Sequence, residues 1–228
     1  MPEFSAVCAA IHAEFAERNA AREAAIARSR ALIRLCSEAI RAVHRREWAA
    51  ADSALDTIAR EAGALFRTVA PYPDLRTGGY TADAFKEVVE AFCTAAWVRG
   101  RETPAPEQFT VEGTPYITGA IFLNGAAEAA TELRRFILDG LRTATGEADA
   151  AEAERLLAIM DGVYEQLVTF DYPDAITGDL RRRTDTVRGV LEKTRGDLTA
   201  TLTQARVTAA LERALTALAR HTPPAPEV

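Results

Sequence analysis

The chain has 228 residues, 48% of them hydrophobic and 26% charged, with a net charge of −6. That apolar share can build a core, so a wholly disordered chain is excluded. The acidic balance excludes a uniformly basic nucleic-acid binder, though it leaves room for a local basic face, because binding depends on where the cations cluster.

From Glu3 to about Arg46 there is neither Gly nor Pro, and Ile26, Leu32, Ile33, Leu35, Ile40 and Val43 recur at helical spacing. The pattern predicts one long helix, or two that meet near Asn19. A second helix is expected from Glu47 to Val69, with Leu55, Ile58, Ala62, Leu65 and Phe66 inward. Pro71, Pro73, Gly78 and Gly79 then break helicity. A third helix opens near Thr81 and ends at Arg99-Gly100, followed by a polar loop. Thr114-Pro115 has the form of a helix start, a hydroxyl N-cap before a first-turn proline. Helix four is expected to reach Thr145, where Gly146 stops it, and helix five covers Glu147 to Phe170. After the corner Asp171–Ala175 comes a very long last helix, Leu180 to His221.

No strand-like alternation appears. The expected fold is all-α, a single antiparallel bundle of six to seven helices with long first and last members. The domain spans 1–222, and the Pro-rich stretch 223–228 is a disordered tail. Helices of about forty residues outrun a small bundle, which points to oligomerisation. Cys8, Cys36 and Cys93 form no CxxC pair and read as small core residues of a reducing compartment. Glu3, Glu14 and Glu17 leave no signal-like apolar stretch. No uncharged run approaches the ~18 residues of a membrane span. A cytoplasmic location with no membrane partner is expected.

Two helices carry carboxylates at useful spacings. Glu87 and Glu90 are three apart with Asp83 a turn earlier, and Glu128 and Glu132 are four apart, so each pair shares a helix face. Val88, Val89, Ala91 and Phe92 surround the first pair, and Gly125, Ala126, Ala127, Ala129 and Ala130 surround the second. These are not the neighbours of a freely solvated face, and small residues let a second helix approach closely. Converging carboxylates without His or Cys suit a hard divalent cation such as Mg²⁺, with Mn²⁺ possible, and such an ion can assist phosphodiester hydrolysis. The plainer reading is a set of surface ion pairs with Arg134 or Arg135.

Arg30, Arg34, Arg41 and Arg45 fall on one face of the first helix, with His44 beside the last two. Such a face can track phosphates. Equally, it can be a solvated face paired with Glu23 and Glu38, and an Arg-rich composition also follows from a GC-rich genome. Arg181-Arg182-Arg183 begin the last helix, where the helix dipole disfavours cations; some other role keeps them there.

The segment from Ser29 to Leu35, continued by Ala39 to Arg45, resembles the first helix of archaeal translin-like proteins. Lys86-Glu87-Val88-Val89-Glu90-Ala91 is similar to the Glu-x-x-Glu-Ala pattern of trax, and Phe122 to Arg135 resembles the family's tyrosine-leucine-leucine-glycine segment. Tyr172 to Gly178 and Glu192 to Arg195 resemble its last helix. A second register, set on Tyr116 and Gly119, would put Phe122 and Ala126 at the acidic positions. The first is preferred because it also aligns Glu132-Leu133-Arg134.

The translin/trax resemblance implies an all-helical subunit of a hexameric to octameric homo-oligomer that encloses single-stranded RNA or DNA. It further implies Glu87, Glu90, Glu128 and Glu132 as metal ligands and catalytic acids of an Mg²⁺-dependent endoribonuclease. Arg30, Arg34, Arg41, His44 and Arg45 are the nucleic-acid-binding candidates. Two other readings stand beside it: a non-catalytic single-stranded DNA/RNA-binding module, and a structural helical interaction protein.

Overall fold

The computed structural model of the chain describes residues 3–143 and 147–221. The first helix, α1 (Phe4–His44), runs unbroken through Asn19. It ends in a Schellman turn: Arg46 takes φ 57°, its N–H donates to the Val43 carbonyl, and the Glu47 N–H donates to that of Ala42. The left-handed backbone suits glycine better than Arg46. It carries that guanidinium over the Phe136 ring, 5.1 Å from its centroid.

Next come α2 (Trp48–Val69), α3 (Pro73–Arg76), a single turn, and α4 (Gly79–Val98). Across a loop with one 3₁₀ turn, β1 (Thr110–Val111) pairs antiparallel with β2 (Thr114–Pro115). The expected helix start at Thr114-Pro115 is therefore this small hairpin. Glu112 and Gly113 both take positive φ and turn the chain, and Tyr116 is buried beside Phe85, Phe66 and Phe109. The cap signal recurs four residues later: the Thr118 hydroxyl accepts from the Ile121 N–H, 3.3 Å, and α5 (Gly119–Thr143) begins there.

The rest is α6 (Glu147–Leu167), α7 (Asp174–Thr177) and α8 (Leu180–His221). The Gly146 stop and the tail 223–228 lie outside the described residues. Among the described residues, six long helices and two single turns thus make the all-α bundle.

Helix α1 packs on α2 and α4, α4 on α5, and α5 on α6 and α8. Twelve residues of α4 are buried, so α4 is the central element. Cys36 and Cys93 lie in the core, and the three cysteines are free. The two longest helices overhang it. The buried residues of α1 begin only at Ala25, leaving Phe4, Val7, Ile11 and Phe15 exposed along one stripe. At the other end Val207, Leu211, Leu215 and Leu218 of α8 are exposed. No helix among the described residues is long and apolar enough to cross a membrane.

Candidate metal centre

Helices α4 and α5 meet at Gly125. A Cβ there would lie 2.6 Å from the Lys86 carbonyl oxygen and 2.7 Å from Val89 Cβ, closer than packed atoms come. Bare glycine lets the helices touch backbone to backbone, and Ala126, Ala127, Ala129 and Ala130 are buried around the contact. One turn on, Glu128 reaches Glu87 and Glu90. One carboxylate oxygen from each of the three lies within 4.8 Å of the others. Glu128, on the preferred register, is the α5 residue that completes this group. Ala126 is buried and apolar.

Glu90 is the innermost acid, 9% exposed, and among the described residues it makes neither a hydrogen bond nor an ion pair. Burial first, and then the negative charges of Glu87 and Glu132, push its carboxyl up to about 8 against the pull of Lys86 and Arg183. At neutral pH this acid holds its proton. Cys36 of α1 is buried, and that burial, with the charges of Glu87 and Glu90, pushes its thiol well above its ordinary range.

Glu132 stands apart from the converging three. Its Oε2 lies 2.8 Å from His44 Nε2, and this hydrogen bond holds its carboxyl below the usual range. The His44 side chain is 5% exposed, lies 6.0 Å from the Phe136 ring centroid and leaves Nδ1 buried without a partner among the described residues. It is turned into the protein toward the acids, not outward with the arginines. Arg30, Arg34, Arg41 and Arg45 are exposed on the side of α1 opposite its buried face. Arg45 is also bound to Glu47 at 2.8 Å. The expected acidic stripe loses Asp83, which is exposed and outside the group.

Arg135 acts on Glu132 through its charge alone, and the cations that bond the converging acids are not the expected ones. Arg134 pairs with Asp197 at 2.7 Å and Arg135 with Asp139 at 3.8 Å. Instead, Lys86 Nζ lies 3.0 Å from Glu87 and also bonds Glu128, while Arg183 of α8 bonds the other Glu128 oxygen. Lys86 sits next to Glu87 in sequence and could have been noticed. Arg183 is 55 residues from Glu128, and its one signal is a cation in the first turn of a helix.

The converging atoms are all carboxylate oxygens, and one belongs to a buried acid with no hydrogen-bond or ion-pair partner among the described residues. That donor set fits a hard divalent cation.

The chain is translin-like in fold, by likeness to solved structures of C3PO proteins. That of AfC3PO is 29% identical, covers 86% of this chain and 97% of its own, and superposes with a TM-score of 0.75. AfC3PO in complex with duplex RNA matches with the same identity and coverage at a TM-score of 0.69. Apo-NeC3PO, 17% identical over 88% of this chain and 98% of its own, shares the fold at 0.74. An uncharacterized protein of Methanocaldococcus jannaschii is 29% identical over 184 residues, 80% of this chain and 77% of that one. No family model matches the sequence.

Proposed function

We propose that the protein is an RNA-binding oligomer that cuts single-stranded RNA with a divalent ion, Mg²⁺ or Mn²⁺, held by Glu87, Glu90 and Glu128. The observation that carries this reading is the convergence of three carboxylate oxygens from two helices within 4.8 Å, one of them from a buried acid without a partner among the described residues. A bound ion would supply Lewis acidity and a water of lowered pKa. Glu90 would give up its proton on binding it. Glu132, kept ionised by His44 through Oε2, would accept a hydrogen bond from water or substrate at its other oxygen.

RNA as the ligand class is supported by the likeness to AfC3PO, solved with duplex RNA. The exposed Arg30, Arg34, Arg41 and Arg45 offer guanidinium groups for phosphates. Self-association is supported by the exposed apolar residues on both overhanging helices. A cytoplasmic site of action accords with three free cysteines.

One feature favours a non-catalytic nucleic-acid-binding reading: Lys86 and Arg183 already neutralise Glu128. Incubation of a labelled single-stranded RNA with Mg²⁺ or Mn²⁺ separates the two. Metal-dependent cleavage that stops with EDTA, and is lost in Glu128→Gln with RNA binding retained, is the expected result. Binding without cleavage under either ion would leave the non-catalytic reading standing.

A further inference from the structure

The three arginines that open α8 are not alike. Arg181 and Arg182 are 79% and 77% exposed and pair with Asp171 and Asp179 on the surface. Arg183 is 22% exposed and turns inward to Glu128, with its Nε buried and without a partner among the described residues. A guanidinium in the first turn of a helix opposes the helix dipole, so its place is set by what it meets. Lys86, one of two lysines in the chain, approaches the same carboxylate from α4 and is 12% exposed. Glu128 is thus held by two cations on its two oxygens, while Glu90, a few ångströms away, has no hydrogen bond or ion pair among the described residues.

A divalent ion cannot take Glu128 while both cations keep it, because like charges repel strongly in a half-buried site. When the ion displaces them, two half-buried cations are left at its edge without an anion, and a phosphate is the anion nucleic acid supplies. Arg183 would offer a planar fork to phosphate oxygens and Lys86 a point charge.

We propose that Lys86 and Arg183 are counter-ions exchanged between Glu128 and the nucleic-acid phosphate, so that divalent ion and RNA bind cooperatively. The inference rests on the metal site proposed above and adds to it the residues that couple metal to substrate. Linkage makes the coupling reciprocal: the oligonucleotide tightens the ion by the same factor as the ion tightens the oligonucleotide.

The test measures Mn²⁺ binding from the free-ion electron paramagnetic resonance signal, with and without a 2′-O-methyl RNA oligonucleotide that cannot be cleaved. In the wild type the oligonucleotide should tighten Mn²⁺ about tenfold, inside the usual range for linked sites. Arg183→Met should bind Mn²⁺ several-fold more tightly than wild type when alone, yet show coupling reduced to about twofold. Arg183→Lys, which keeps the charge, should retain most of the coupling. Lys86→Met repeats the experiment from α4 should the α8 variant fail to fold. Wild-type coupling that persists unchanged in both Met variants overturns the inference while leaving the metal site intact. Absence of Mn²⁺ binding by wild type, with or without oligonucleotide, rejects the metal site itself.

Discussion

Replacing Glu90 by Gln removes a titrating group and little else, because the two side chains share a shape. The Glu90 carboxyl titrates near its ordinary value of 4.5 in the unfolded chain and near 8 in the folded one. Between those values the folded state binds one proton more. Its contribution to stability is therefore complete below about pH 4.5 and is lost as the pH rises toward 8. One proton corresponds to about 1.4 kcal/mol per pH unit. From pH 5.5 to 7.5 the wild type should thus lose up to about 3 kcal/mol that Glu90→Gln keeps. For a chain of this size each kcal/mol moves the Tm by roughly 2–4 °C. The Tm difference between variant and wild type, measured by scanning calorimetry in EDTA at fixed protein concentration, should widen with pH by about 6–12 °C. Titrating groups not coupled to Glu90 are common to both proteins and cancel in the difference. Added Mn²⁺ should raise the wild-type Tm at pH 7.5 and move the variant less. A difference that stays flat across the pH range, or a variant less stable than wild type at pH 7.5, would refute this account of Glu90. It would then be an ordinary paired acid whose loss strands a cation.

Arg41→Ala with Arg45→Ala should weaken single-stranded RNA binding for every sequence tried and flatten its salt dependence by about two phosphate contacts, with little change in Tm. Fluorescence anisotropy across a salt series checks it, and an unchanged slope would move the contact elsewhere. Light scattering should find the wild type larger than a single chain of 228 residues. Leu211→Glu with Leu215→Glu should shift it toward the single chain, since both side chains are exposed apolar groups on the α8 overhang.

Much of the architecture could be read from local pattern. The absence of Gly and Pro from α1 marks it as helical throughout but allows both one helix and two meeting near Asn19, whereas the Pro and Gly clusters fix the breaks after α2 and α6. At Thr114-Pro115 a good helix-start dipeptide loses to tertiary packing: the aromatic cluster around Tyr116 needs an extended approach, and the real cap is Thr118. Spacing placed Glu87 with Glu90, and Glu128 with Glu132, on shared faces. It could not say that the α4–α5 crossing gathers only three of them, or that the fourth is taken by His44. His44 belongs to neither face by periodicity alone, since it lies between the exposed Arg41 and Arg45 and the buried Ile40 and Val43. Arg183 was illegible as a partner of Glu128 because the two meet only once α8 packs on α5.

The missing side chain of Gly125 sets a ruler. The span between Glu87 and Glu128 is fixed by a residue with no functional group, through contact with the Lys86 carbonyl and Val89. A homologous chain could keep every acid and still lack the centre if it carried valine at that point, because its helices would stand further apart. Sorting relatives into those able and unable to hold an ion therefore requires reading this inert position together with the carboxylates.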